Sequence, residues 1–157
     1  MSLLTFLGNH YGTDKATDLG GHAYTEIYES LLGDSRYHVN QVLEIGSYRG
    51  ASLKMWHDYF PRATVIGLDR EPVDPGIDQD AFPRIRLILG DVRDPAVIAR
   101  IREIAPFDLI IDDGSHLKEE IDSALSSFFP LLEPGGLYAI EDYGPTGPGN
   151  WLWLCRR

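Results

Sequence analysis

The stretch VLEIGSYRG, at residues 42–50, is a short apolar run that ends in a glycine-bounded turn. The stretch SLKMWHDYF, at 52–60, follows it, and its apolar residues recur at the spacing of one helical face. A second apolar run, TVIGLD at 64–69, comes next. A strand, a helix and a further strand in this order favour a right-handed crossover between parallel strands. This part of the sequence therefore predicts an α/β fold.

Further strands and helices alternate along the rest of the chain. The predicted strands are VLEIG (42–46), TVIGLD (64–69), RIRLILGD (84–91), FDLIIDD (107–113) and LYAIED (137–142). The predicted helices cover 24–32 (with Gly33 as its stop), 52–60, 94–104 (with Asp94 as N-cap and Pro95 in first position) and 117–131 (ending near Pro130), and 71–83 is expected to be a loop. These elements predict a Rossmann-like, doubly wound parallel sheet with helices on both faces.

One domain over residues 1–157 is predicted, because the chain is too short for two full domains. Residues 1–33 are assigned to an N-terminal lid and helix, since glycines at 8, 12, 20 and 21 indicate a loop before the helix rather than core. Residues 40–142 form the predicted core. Residues 143–157 are expected to be an irregular tail, because prolines and glycines precede its apolar segment WLWLC.

An irregular tail leaves the fifth strand as an open sheet edge, which invites pairing with another chain. A homo-oligomer through this edge is therefore one prediction. The alternative is that WLWLC covers the edge, either within the same chain or in a dimer.

The composition excludes several classes of partner. There are 24 acidic and 14 basic side chains, which give a formal net charge of -10 and argue against binding to nucleic acid or to anionic membranes. The single cysteine, Cys155, excludes an internal disulfide and favours a cytoplasmic location. No apolar run approaches the roughly 20 residues of a membrane helix, and the first residues lack the features of a signal peptide.

The turn between the first strand and its helix is a candidate ligand-binding loop. Gly46 and Gly50 allow the backbone to approach a ligand closely, and the helix that follows offers free N–H groups. Asp69, at the end of the second strand, can accept hydrogen bonds from both hydroxyls of a ribose, and Asp91 after the third strand suits an adenine amino group. The alternative is a set of tight turns with solvated acids. The spacing is not G-x-G-x-x-G, which weakens a nicotinamide interpretation.

Four carboxylates form a second candidate site. Asp112 and Asp113 leave one strand, and Glu141 and Asp142 leave the next. Adjacent parallel strands end about 5 Å apart, and two carboxylates at about 4 Å repel by roughly 4 kcal/mol at an effective dielectric near 20. A divalent cation is therefore predicted, and oxygen ligands favour Mg²⁺, Ca²⁺ or Mn²⁺. In the alternative, Asp113 or Ser115 only caps the following helix.

His116 follows these acids directly and is a candidate general base. A nearby cation favours the neutral imidazole, which is the form that accepts a proton. The alternative for His116 is a structural role, and His22 is as readily explained as a solvated loop residue.

The motifs E-I-G-x-x-x-G (44–50), G-L-D (67–69) and G-D (90–91) resemble those of class I S-adenosylmethionine-dependent methyltransferases. Within that class the chain resembles the metal-dependent sugar O-methyltransferases of macrolide antibiotic biosynthesis, of the mycinamicin and macrocin type. The stretches that carry this resemblance are YGTDK (11–15), HAYTEIY (22–28), LEIG (43–46), GASLKMWHDYFP (50–61), GLD (67–69), FDLIIDDGSH (107–116) and PGGLYAIED (134–142).

The resemblance implies a Mg²⁺ ion held by Asp113, Glu141 and Asp142, with His116 as the catalytic base. It implies that Asp113 takes part in the reaction as a metal ligand, and that the acceptor is a sugar hydroxyl of a small glycoside. The residues that it implies around S-adenosylmethionine, or at the substrate entrance in the case of the last two, are Glu44, Gly46, Gly50, Asp69, Asp91, Asp112, Lys15 and Tyr28.

Two departures from the family pattern leave other functions open. The glycine turn is short, and the predicted sheet lacks the C-terminal strand pair of the seven-stranded methyltransferase fold. A cephalosporin-hydroxylase-like relative and a shortened, non-catalytic S-adenosylmethionine-binding module are the alternatives.

Overall fold

Six strands form one sheet in the computed structural model, which describes residues 1–16, 21–73, 76–144 and 147–157. The strands are β1 (Gln41–Ile45), β2 (Thr64–Asp69), β3 (Ile85–Leu89), β4 (Phe107–Asp112), β5 (Leu132–Gly144) and β6 (Gly147–Arg156). Their order across the sheet is β3-β2-β1-β4-β5-β6. All neighbours are parallel except β5 and β6, which are antiparallel. The α/β, Rossmann-like prediction is confirmed.

Five α-helices of the described part of the chain cover the two faces of this sheet. They are α1 (Leu3–Tyr11), α2 (Tyr24–Leu32), α3 (Ala51–Tyr59), α4 (Pro95–Ile104) and α5 (Lys118–Phe128), with short 3-10 turns at Gly33–Ser35 and Phe129–Leu131. The first three helices pack on one face and the last two on the other. Consecutive strand residues serve opposite faces: Ile110 lies in the cluster with α4 and α5, and Ile111 in the cluster with α1, α2 and α3.

The order of the strands determines which edge of the sheet can bind a ligand. The chain runs outward from β1 through β2 to β3, and then crosses back to place β4 on the other side of β1. In such a sheet, ligands bind beyond the carboxyl ends of the strands where the order reverses. Ile45 of β1 is in register with Asp112 of β4, and Asp112 is in register with Ile140 of β5. The candidate residues therefore leave the sheet side by side.

The prediction that the N-terminal glycines mark a loop outside the core is wrong for most of the described segment. Ser2 caps α1 by accepting a hydrogen bond from the Thr5 N–H, and Leu4 is fully buried. Gly8 is a packing position, because a Cβ there would lie 2.9 Å from the Ala16 Cβ. Gly12 ends the helix in the left-handed region, with φ of 77°.

The prediction of an irregular tail is also wrong. Gly147–Arg156 forms β6, which pairs with β5 from Leu137 opposite Arg156 to Gly144 opposite Gly147. Gly147, Pro148 and Gly149 therefore belong to the returning strand, together with the apolar segment after them. The edge of β5 is covered within the chain, so the homo-oligomer predicted through that edge has no open fifth strand to use.

Other local predictions are confirmed. Asp94 caps α4 through the Ala96 N–H at 2.8 Å, with Pro95 in first position, and the helix before Pro130 ends at Phe128. The described part of 71–83 contains no helix or strand. Residues 17–20, 74–75 and 145–146, which belong to the predicted N-terminal segment, loop and tail, lie outside the described residues. Among the described helices, none combines the length and the apolar character needed to cross a bilayer.

Candidate active site

A cavity of about 750 Å³ opens beyond the carboxyl ends of β1, β2 and β4. Of the residues predicted from the sequence, Gly46, Asp69, Asp112, Asp113, His116 and Asp142 line it. The structure thus brings together the glycine turn and most of the acidic cluster, which are up to 96 residues apart along the chain. The turn and the acids form two neighbouring parts of one site.

The glycine turn is shaped by the protein's own backbone. Gly46 has φ of 87°, and a Cβ there would lie 2.0 Å from the Asp113 carbonyl oxygen. The backbone N–H groups of Ser47 and Tyr48 donate to Asp69 Oδ2 at 2.7 and 2.9 Å. Asp69 therefore ties the turn to the end of β2, while also facing the cavity where a ligand hydroxyl would lie.

Asp112 places a largely buried carboxyl at the wall of the cavity. It is 5% exposed, and the Gly114 backbone N–H and the Tyr138 hydroxyl act on this carboxyl as hydrogen-bond donors. Burial raises the pKa of this carboxyl to about 7. A buried carboxyl is stabilised by hydrogen-bond donors, so this part of the cavity wall suits a polar ligand with N–H or O–H groups.

Five residues implied for the donor or the substrate entrance do not line the cavity: Gly50, Asp91, Glu44, Lys15 and Tyr28. Gly50 is the N-cap of α3, with φ of 72°. Asp91 accepts hydrogen bonds from the backbone N–H, Nε and Nη2 of Arg93 at 2.8, 2.9 and 2.7 Å, and this partner lowers its pKa. Their contact with a ligand stays a prediction.

Lys15, Glu44 and Tyr28 belong instead to a buried charged cluster under the cavity. The Lys15 ammonium lies 2.5 Å from Asp113 Oδ2, 2.6 Å from Glu141 Oε2 and 3.4 Å from Glu44 Oε1. Burial by itself lowers the pKa of Lys15, but the three surrounding carboxylates outweigh it, and the pKa lies well above its usual value. Lys15 therefore carries its charge in the fully buried state.

Glu141 is held within this cluster by two donors. Its Oε2 accepts from Lys15 at 2.6 Å and its Oε1 from the Tyr28 hydroxyl at 2.6 Å, and it is 1% exposed. Glu44 is fully buried, and burial raises its pKa to about 7. Both carboxylates thus lie behind the cavity wall rather than in it.

Three side chains on the cavity side can reach one ion: Asp113, His116 and Asp142 each offer a ligand atom, and these atoms lie within 4.8 Å of one another. His116 and Asp142 have φ of 56° and 57°, a conformation that costs energy in residues other than glycine and is often found at functional sites. Two carboxylates from neighbouring strands, with room for water and substrate oxygens, suit Mg²⁺.

Sequence reasoning missed two contacts at Asp142. The Tyr24 hydroxyl donates to Asp142 Oδ1 at 2.7 Å, and His22 Nδ1 lies 3.3 Å from the same oxygen. The available signal was the spacing of Tyr24 and Tyr28, which places both on one face of a helix. Nothing in the sequence pattern connects that face to Asp142.

The sequence pattern of the methyltransferase domain matches residues 43–143, which include the glycine turn and all four strand-end acids. The chain belongs to the methyltransferase domain family. The candidate site of this methyltransferase domain thus lies almost wholly inside the matched segment, and only the N-terminal contacts fall outside it.

Similar curated proteins are sugar O-methyltransferases. The chain is 37% identical to 8-demethyl-8-alpha-L-rhamnosyl tetracenomycin-C 2'-O-methyltransferase of Streptomyces olivaceus, over 94% of this chain and 40% of that protein. It is 39% identical to mycinamicin VI 2''-O-methyltransferase of Micromonospora griseorubida, over 88% and 35%. The methyltransferase domain described here therefore spans about two fifths of the length of these relatives.

A solved structure shares the fold closely. The MycE methyltransferase from the mycinamycin biosynthetic pathway, in complex with Mg and SAH, has a TM-score of 0.78 and 38% identity over 90% of this chain and 39% of that one. The same enzyme in complex with Mg, SAH and mycinamycin VI has a TM-score of 0.77 and 37% identity. The similarity in sequence and structure covers nearly the whole methyltransferase domain.

Proposed function

We propose that the chain is an S-adenosylmethionine-dependent, Mg²⁺-assisted O-methyltransferase domain that acts on a sugar hydroxyl of a small natural product. The observation that carries the proposal is the meeting of Asp113, His116 and Asp142 at a cavity whose wall also holds the buried carboxyl of Asp112. The relatives support it, because they are named as O-methyltransferases of a rhamnosyl tetracenomycin and of mycinamicin VI, and the solved one is a complex with Mg and SAH.

The residues divide into a donor side and an acceptor side. On the donor side, Asp69 accepts hydrogen bonds from ribose hydroxyls, and Asp112 accepts one from an N–H or O–H group of S-adenosylmethionine. On the acceptor side, Asp113 and Asp142 hold the cation. Glu141 stays a prediction as a third ligand, because both of its oxygens carry hydrogen bonds within the protein.

His116 has the role of general base. It lines the cavity beside both carboxylates, so a sugar hydroxyl bound there lies within reach of its imidazole. The cation, when bound, supplies positive charge that lowers the pKa of that hydroxyl. His116 takes the hydroxyl proton as the oxygen forms its bond to the methyl carbon, and the carbon–sulfur bond of the donor breaks. The chain contributes by orienting both substrates and by holding the proton.

Calorimetry with S-adenosylmethionine, with and without Mg²⁺, followed by a methyl-transfer assay on a panel of glycosides, tests the proposal. Donor binding with or without Mg²⁺, and methyl transfer that depends on Mg²⁺, are expected. Donor binding without transfer would support the non-catalytic module instead, and the absence of donor binding would refute both.

Two variants test the assignment of the residues. Asp113→Ala is expected to abolish Mg²⁺-dependent transfer while the affinity for S-adenosylmethionine stays nearly unchanged. Equal loss of both would show that the metal site and the donor site have been assigned to the wrong residues. His116→Ala is expected to lower turnover by about 100-fold or more with little change in metal affinity. An unchanged rate would show that His116 has only a structural role. Loss of metal binding would show that His116 is a metal ligand.

The remaining expectations stay predictions. The absence of nucleic-acid and membrane partners and a cytoplasmic location are inferred from charge and cysteine content alone.

A further inference from the structure

Each of the three acids implied as metal ligands receives a hydrogen bond from the N-terminal part of the chain. Lys15 donates to Asp113 and to Glu141, at 2.5 and 2.6 Å. Tyr28 donates to Glu141 at 2.6 Å, and Tyr24 donates to Asp142 at 2.7 Å. These donors lie outside the segment that matches the family pattern, 43–143. The orientation of these acids is therefore set partly by the N-terminal segment, although that segment contributes none of the three residues that can share an ion.

Of the two tyrosine donors, Tyr24 is the one that reaches the open side of the cluster. Its partner Asp142 is one of the three residues that can share an ion, whereas the partner of Tyr28 lies behind the cavity wall. Tyr24 is 3% exposed, and its ring stacks on His22 with 5.2 Å between the ring centroids. The hydroxyl is thus held in place, and it fixes one oxygen of a carboxylate whose backbone already has the unusual φ of 57°.

We propose that Tyr24 is a positioning residue for the cation, which acts by orienting Asp142. This inference rests on the proposed function, because it takes Asp142 as a metal ligand. Hydrogen-bond partners of metal ligands fix the orientation of those ligands, and their loss typically weakens metal affinity by about 10- to 100-fold. Tyr24 does not touch the reacting atoms in this account, so its effect appears first in metal binding.

Tyr24→Phe is the direct test, since it removes the hydroxyl and keeps the ring that packs on His22. Mn²⁺ affinity, measured by electron paramagnetic resonance on the metal-free chain, is expected to fall about tenfold. The melting temperature without metal and the affinity for SAH, measured by calorimetry, are expected to stay close to those of the parent chain. Mg²⁺ titrated against Mn²⁺ should show the same loss.

Tyr11→Phe is the matched control. The Tyr11 hydroxyl also donates to a carboxylate, that of Asp58, which is not one of the acids at the cavity. This variant loses the same kind of hydrogen bond and should bind Mn²⁺ as the parent does.

The possible results separate the inference from the proposed function. If the parent chain binds Mn²⁺ and Tyr24→Phe binds it within twofold of the parent, only the positioning role of Tyr24 is refuted. If Tyr11→Phe loses as much affinity as Tyr24→Phe, the effect is general and the role is refuted as well. If the parent binds no divalent ion, the metal site and this inference fail together, while SAH binding still reports on the donor site.

Discussion

Replacing Lys15 with methionine removes the only positive charge that contacts the buried cluster of Glu44, Asp113 and Glu141 among the described residues. Methionine keeps much of the length and apolar character of the lysine stem, so the change is mainly one of charge and hydrogen bonding. The variant leaves Glu44 and Glu141, which are 0% and 1% exposed, without their cation. The free energy of unfolding should fall steeply as a result.

The size of the loss follows from the distances. One unit charge pair at 2.6 Å is worth about 6 kcal/mol at an effective dielectric near 20, but the cost of burying both charges offsets much of this. Removal of one partner from a buried pair typically costs about 3–5 kcal/mol, because the other charge is left uncompensated. We expect a loss in this range near pH 7.5.

The loss should shrink as the pH falls. Without Lys15, the buried carboxyls bind protons more readily in the folded chain than in the unfolded chain. The unfolded state then releases its protons first as the pH rises, so the stability of Lys15→Met falls with rising pH from about 4.5 upward. Below that range both states are protonated and the penalty disappears.

Urea denaturation of the metal-free chain at pH 5 and pH 7.5 measures both effects. Lys118→Met is the control, since Lys118 pairs with Asp122 on the surface of α5 with 63% of its side chain exposed. Such an exposed pair contributes little to stability. A loss below about 1 kcal/mol for Lys15→Met at pH 7.5, or a loss that does not depend on pH, would refute the view of Lys15 as the counter-ion of this cluster.

Two further predictions concern the glycine turn and the buried carboxylates. Gly46→Ala should destabilise the chain by at least about 2 kcal/mol, because its Cβ would overlap the Asp113 backbone. Gly135 is the control, since it has the same φ of 87° but a Cβ there would have nothing within 4 Å. Gly135→Ala should therefore cost only about 1 kcal/mol, and urea denaturation measures both losses. Equal losses would show that φ alone matters. Burial raises the pKa of Glu44 to about 7, so Glu44 by itself should contribute a loss of about 3 kcal/mol of stability to the parent as the pH rises from 4.5 to 7. Glu44→Gln should reduce this dependence of stability on pH. If the parent and Glu44→Gln lose the same stability over this pH range, the raised pKa of Glu44 is contradicted.

The N-terminal segment shows why local patterns can mislead. Glycines at 8 and 12 indicated a loop, but the first is a contact position against Ala16 and the second ends a helix. Glycine is used for turns, for helix ends and for close packing, and the sequence alone does not distinguish these uses. Leu4 is fully buried because α1 packs against α3, which is a tertiary contact.

The tail illustrates the same limit in a strand. Its apolar residues suit a strand, yet its glycines and prolines indicate irregular structure. Pairing with β5 decides the outcome, because the neighbouring strand supplies the hydrogen-bond partners that an isolated segment lacks.

Apolar periodicity and strand-end acids by themselves determined the α/β fold, the boundaries of most of its core elements, and the meeting of Asp112, Asp113 and Asp142 at one sheet edge. These features follow from short-range rules, since strands that lie parallel must end at the same side. Only the tertiary structure decided that Lys15 and Tyr28 lie behind the cavity, and that Tyr24 contacts an acid 118 residues away. Helix α2 and the end of β5 meet through packing, and no local pattern encodes the direction in which their side chains point.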